Sequence, residues 1–301
     1  MDVGVGQVRL EEGIRPAGRH GQSERLDVRG ALTRPMLFHQ TDSEGAPGGL
    51  IAPGWRLIGA CVRGPAHEAK NQEGQDALAF GVENGCAVAV VCDGAGSARH
   101  ARAGSTRVSS MVASAFLAAP TTSFEGAEAF RALVVQAVDF ARGSLLADGL
   151  DLEDCHATLV ALVATPERTL LAHVGDGLAA VAPTAAWGDV VLSEPRNGEY
   201  ANQTWFVTME DWPDQLRVSE APPLAQGGVA VAMTDGAMPF VISADGAALE
   251  PDFMGPVSRF LYSSDPEAAA RALHGTLGSK DARRISGDDK TLIWIGREPA
   301  G

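Results

Sequence analysis

Hydrophobic positions follow two periods along this chain. Compact apolar runs at 55–62, 76–82, 86–92, 157–164, 169–174, 178–182, 229–233 and 291–295 have the length and composition of strands. Glu83-Asn84-Gly85 is a hairpin signal that returns 86–92 beside 76–82, and a turn at 165–168 joins 157–164 to 169–174. Elsewhere helical spacing takes over. Val108, Met111, Val112, Ala115 and Phe116 line one face of a helix ending before Pro120, and Phe130, Leu133, Val134, Ala137 and Ala141 line the next. Thr122 and Glu125 have the spacing of a capping box at the start of that second helix. A further helical stretch covers 253–262. The last helix has Asp265 as N-cap, Pro266 at its first position and Gly278 just past its end. Strands, two helices, strands, two helices and a final strand do not make a βαβ alternation. The expected fold class is α+β, with helices covering two largely antiparallel sheets.

The remaining stretches lack a period. Residues 63–75 read as a polar loop, and 193–212, polar and aromatic, as a long loop or flap with some strand. Residues 1–50 read as a flexible N-terminal extension with one short ordered piece near 35–38, which leaves 51–298 as the folded domain.

Composition narrows the class. With 45% hydrophobic and 21% charged residues among 301, the chain can bury an ordinary globular core. A net charge of −14 argues against nucleic-acid partners and against anionic membranes. No apolar run reaches the roughly 20 residues of a membrane span, and the N-terminus lacks the basic-then-apolar layout of a signal peptide; the cytoplasmic expectation comes from the cysteines. Cys61, Cys86, Cys92 and Cys155 form no CxxC pair. Cys86 and Cys92, on one strand at ~3.3 Å per residue, stand about 20 Å apart, too far for a disulfide. Buried free thiols in a reducing compartment are expected.

Chemistry concentrates where apolar runs meet acids. Asp93 ends one run and is followed by Gly94 and Gly96; 229–233 ends in Thr234-Asp235-Gly236; Gly287-Asp288-Asp289-Lys290 leads into 291–295. The hairpin brings Asp76, after Gln75, into the neighbourhood of Asp93. Each aspartate alone could be a turn or cap residue. Together they are the hard oxygen donors that divalent ions take, and two ions bridged by a carboxylate would activate a water against a phosphoryl group. The segment from Gly94 to Arg99 approaches a dinucleotide fingerprint, but Arg99 replaces its third glycine and no acidic strand end follows about 20 residues later. No nucleophile elbow and no Walker A loop is present.

Gln75-Asp76, Val91-Cys92-Asp93-Gly94, His173-Val174-Gly175-Asp176-Gly177, Met233-Thr234-Asp235-Gly236 and Asp288-Asp289-Lys290-Thr291 occur in the order found in the metal-dependent (PPM, type 2C) serine/threonine protein phosphatases. Over roughly 55–296 the chain resembles a bacterial branch of that family marked by DGAGSA and by GEYANxTxF, here 198–206. The resemblance implies a four-layer αββα sandwich with two Mn2+ or Mg2+ ions at one end. It implies hydrolysis of phosphoserine and phosphothreonine in proteins by a water bound to the two-metal centre, with no phosphoenzyme. Asp93 would bridge the ions, Gly94 would offer its carbonyl oxygen, Asp235 and Asp288 would complete one shell, and Asp76 would hold metal-bound water. Asp176 matches a residue that can help bind a third metal, although Pro239 stands where that site's second aspartate is usual.

Departures from the family pattern leave some roles open. Ala95 occupies the position of a histidine proposed as general acid in eukaryotic members, and His67, in the loop before Asp76, is a substitute candidate. Gln75 replaces a glutamate. Arg63 is the nearest candidate for the arginine that clamps phosphate, and Glu199 and Asn202 would lie on a substrate-facing flap. A phosphoprotein substrate, a cognate serine/threonine kinase and a monomeric state follow from the same resemblance. The alternative is a PPM-fold domain that binds or regulates a partner without catalysis.

Overall fold

The computed structural model describes residues 36–40, 47–193 and 204–298. Strands β1 (Met36–Gln40), β2 (Gly48–Ala52) and β3 (Trp55–Val62) lead into a short helix α1 (Pro65–Ala69) and the hairpin β4 (Ala77–Glu83) and β5 (Cys86–Cys92). Two long helices follow, α2 (Ala101–Ala118) and α3 (Ala127–Ala147), and then β6 (Leu159–Ala164), β7 (Thr169–Val174), β8 (Leu178–Ala182) and β9 (Val191–Leu192). The chain continues through α4 (Trp212–Gln215), β10 (Arg217–Ala221), β11 (Val229–Met233) and α5 (Met238–Val241). It closes with α6 (Pro251–Ser263), α7 (Pro266–Leu277), α8 (Lys280–Ile285) and β12 (Lys290–Arg297).

Among the described residues these strands form two sheets, ordered β1-β4-β5-β6-β7-β10 and β2-β3-β12-β11-β8-β9. Every neighbouring pair is antiparallel. The apolar runs are continuous because both faces of the central strands are covered. In β5, Cys86, Val88, Val90 and Cys92 meet the faces of α2 and α3, while Ala87, Ala89 and Val91 meet the other sheet. In β12, Leu292 and Trp294 pack under α6 and α7, while Ile293 and Ile295 point between the sheets. Period-2 alternation thus sorts one strand into two cores, and the layers are helices, sheet, sheet, helices. This is the α+β sandwich expected from the order of elements.

Antiparallel pairing gathers certain strand ends. Ala77 at the start of β4 pairs with Cys92 at the end of β5, and Leu159 at the start of β6 pairs with Val174 at the end of β7. In the other sheet Met233, ending β11, pairs with both Leu178 and Leu292, and Lys290 pairs with Val62. Asp76, Asp93, Asp176, Asp235 and Asp288 all lie just beyond these ends.

Several local expectations need correcting. The Thr122 and Glu125 pair does not cap the second helix: 121–124 is a 3-10 turn, and α3 begins at Ala127 after Gly126 with no side-chain cap. The polar loop 63–75 contains α1. Strand β1 lies before the boundary read at residue 51 and β2 runs across it, and each adds an edge strand to a sheet. Asp265 does cap α7, accepting from the Ala268 N–H at 2.9 Å. All four cysteines are free and buried. Among the described residues no helix is long and apolar enough to cross a membrane.

Candidate active site

The aspartates line a cleft of about 580 Å3 at that end of the sandwich, where Asp93, Asp176, Asp235 and Asp288 share the walls with His67 and Lys70. Glycines after the acids let the loops close on one another. A Cβ at Gly94 would lie 2.7 Å from the Ala101 carbonyl oxygen, at Gly177 2.7 Å from that of Met233, and at Gly236 1.9 Å from that of Asp289. Any side chain there would push the acid-bearing turns apart.

Asp76 is the most deeply set of the group, at 1% exposed, under the cleft floor. Its Oδ2 accepts from Thr234 Oγ1 and from Thr291 Oγ1, each at 2.7 Å, and its Oδ1 has no hydrogen-bond partner. Burial pushes its carboxyl up, and the Asp289 charge pushes the same way. Asp93 is tied to β6 by its main chain: its N–H donates to Thr158 Oγ1 at 2.9 Å, and its carbonyl accepts from the Thr158 N–H at 2.8 Å. Its carboxyl is also raised, first by removal from water and then by Asp76, Asp235, Asp288 and Asp176. Asp235 is pushed up to about 6 by burial and by the Asp176 and Asp288 charges. Asp176 Oδ2 accepts from Thr204 Oγ1 at 2.7 Å.

These acids repel one another: Asp176 and Asp288 raise Asp235, and Asp76, Asp235, Asp288 and Asp176 raise Asp93, an arrangement that favours bound cations. The buried Oδ1 atoms of Asp76, Asp176 and Asp235 and the Oε1 of Gln75 have no hydrogen-bond partner. Orphaned oxygens on hard donors fit Mg2+ or Mn2+ rather than a thiol- or imidazole-binding metal. Among the described residues no three His, Cys, Asp or Glu side chains already enclose an ion by themselves. Main-chain carbonyls and water would have to complete any shell, as Mg2+ commonly requires.

The structure places the other expected residues unevenly. His67 lies on α1 and lines the cleft. Arg63 donates from Nη1 to the Gln72 carbonyl at 3.3 Å, and among the described residues the cation that lines the cleft is Lys70. Glu199 and Asn202 lie outside the described residues. Sequence reasoning missed Lys70, the two threonine hydroxyls on Asp76, and Asp289. Phe206, the last residue of the 198–206 motif, lines the cleft and stacks on the His156 ring at 4.9 Å between centroids. The threonines had a signal, since both stand near a candidate acid, Thr234 one residue before Asp235 and Thr291 three residues after Asp288.

A sequence model of the family described as Protein phosphatase 2C matches residues 63–278. Serine/threonine-protein phosphatase 3 of Escherichia coli (strain K12) is 26% identical over 257 residues, covering 80% of this chain and 98% of that protein. Among solved structures, serine-threonine phosphatase 2C from Toxoplasma gondii superposes with a TM-score of 0.57 at 13% identity, over 88% of this chain and all of that one. RsbX in complex with magnesium superposes with a TM-score of 0.53 at 12% identity, over 84% of this chain and all of that one. At such identities the structural likeness speaks for the fold.

Proposed function

Because this chain belongs to the protein phosphatase 2C family, we propose that it hydrolyses phosphoserine and phosphothreonine in proteins with two divalent ions, Mn2+ or Mg2+, in the aspartate cleft. The observation that carries the reading is the convergence of Asp76, Asp93, Asp176, Asp235 and Asp288 at one end of the sandwich, three with an unpartnered buried oxygen. Asp93, Asp235, Asp288 and the Gly94 carbonyl would hold the ions, with Asp176 available to a further one. Such ions, when bound, supply an activated water and offset charge gathering on the phosphoryl oxygens. The magnesium complex described for RsbX supports divalent metal in this fold.

The chain's own groups do the positioning. Thr234 and Thr291 hold Asp76 Oδ2, which leaves Oδ1 to accept a hydrogen bond from a water. Lys70 at the cleft wall would orient the phosphate as a point charge. A phosphoprotein in the cytoplasm, phosphorylated by a partner serine/threonine kinase, is the substrate class this chemistry serves, and the protein would act as a monomer.

The test is turnover of p-nitrophenyl phosphate and of a phosphothreonine peptide with Mn2+, with Mg2+ and after chelation, alongside Asp93→Asn and Asp235→Asn. We expect metal-dependent hydrolysis that both substitutions reduce by at least about 100-fold. A folded, metal-supplied wild type without turnover would instead support a non-catalytic binding domain.

A further inference from the structure

We propose that Asp289 is a positioning residue that holds His67 over the cleft as the proton donor to the departing serine or threonine oxygen, an inference that rests on the phosphatase reading. Asp289 is 2% exposed, and both of its carboxylate oxygens accept hydrogen bonds. Its Oδ1 accepts from the Gly64 N–H at 2.6 Å and from His67 Nδ1 at 3.0 Å, and its Oδ2 accepts from the Gln75 N–H at 2.6 Å. Two of these bonds fasten the ends of the segment between β3 and β4. The third fixes the imidazole, whose side chain is only 13% exposed, and leaves Nε2 as the ring nitrogen available to the cleft.

The helix that carries His67 is pinned from the same side. The Ala66 N–H donates to the Gly287 carbonyl at 2.9 Å. Glu68 takes both guanidinium nitrogens of Arg283 on α8. Segment 283–289 therefore holds α1 and also bears Asp288, so His67 and a proposed metal ligand share one frame.

The need for a donor is chemical. When the phosphorus–oxygen ester bond breaks, its electron pair goes to the serine or threonine oxygen, an alkoxide too basic to leave unprotonated. The proton on His67 Nε2 passes to that oxygen. Water supplies the new oxygen on phosphorus, and the proton it sheds restores the imidazole through solvent. Ester and water become alcohol and phosphate. Of the charged groups lining the cleft, the aspartates are committed to cations, and Lys70 is exposed on the wall. His67 is the donor that is both half-buried and oriented.

The experiment compares single-turnover rates with Mn2+ on a phosphothreonine peptide and on p-nitrophenyl phosphate, whose nitrophenolate leaves without a proton. The peptide-to-nitrophenyl rate ratio should fall about 100-fold in His67→Gln and about 10-fold in Asp289→Asn, the range for loss of a proton donor or of its orientation. Lys70→Met should depress both substrates together. Parallel losses in His67→Gln, an unchanged ratio, or a shifted ratio in Lys70→Met would each overturn the assignment while leaving the phosphatase intact. A wild type that turns over neither substrate would remove the phosphatase reading and this one with it. His67→Gln keeps the test decisive if Asp289→Asn loses its fold.

Discussion

Asp235 sits where function and stability pull apart. Its carboxyl is raised to about 6 by burial and by Asp176 and Asp288, so the folded chain binds its proton more tightly than the unfolded one. The stability it lends is present below the unfolded value near 4 and is lost as pH rises through about 6. At pH 7.5 without metal, Asp235→Asn should therefore stabilise the protein by about 1 to 2 kcal/mol, less than the full shift because the group is partly solvated. Mn2+ should raise the Tm of the wild type and not that of this variant, and melting with and without chelator checks both. His173 bends the curve the other way. Burial lowers its imidazole to about 4, so the unfolded chain binds its proton first as pH falls below about 6.5. His173→Leu should flatten the loss of stability between pH 6.5 and 4, a loss of up to about 3 kcal/mol in the wild type. Denaturant titrations at the two pH values measure it; an unchanged slope would show that His173 is not the group that titrates.

At the scale of elements, what the sequence made legible depended on burial. Strands buried on both faces, such as β5 and β11, announced themselves as apolar runs bounded by glycine and acid. Edge strands did not. In β10 the Arg-Val-Ser-Glu-Ala run carries polar residues because one side is solvated, and β9 is only Val191–Leu192. Helix α1 was hidden because five residues give no period, and it is held instead by tertiary bonds to 287–289. The site followed the same logic. Acids at strand ends could be read, but Asp289, the neighbour of Asp288 that faces inward, could not be told from a second surface acid without the loop it binds. The long helices were legible because their apolar faces are continuous, and that face is where α3 is vulnerable. Phe130 is fully buried, with ring centroids 5.2 Å from Phe116 and 6.2 Å from Phe124. Phe130→Ala should cost about 3 to 5 kcal/mol, the range for an aromatic cavity that helices cannot close. Chemical denaturation would show it as a lower midpoint at unchanged slope.

The whole chain carries a net charge of −14, and four aspartates line the cleft. Two divalent ions would offset part of that charge at the site, but the field beyond it stays negative. At about 0.15 M salt the screening length is about 8 Å, so this field acts on the peptide flanks during approach rather than on the phosphate once it is seated. Substrate choice should therefore carry an electrostatic signature in kcat/KM and not in kcat. A phosphothreonine peptide with Lys and Arg flanks should lose kcat/KM several-fold between about 0.05 and 0.3 M KCl, as its attraction is screened. The same peptide with Asp and Glu flanks should gain, because screening relieves its repulsion. Opposite slopes would identify basic phosphoproteins as the favoured partners of this acidic surface. Equal slopes would mean that salt acts on the bound ions alone and that selection resides in the cleft walls around Phe206 and Lys70.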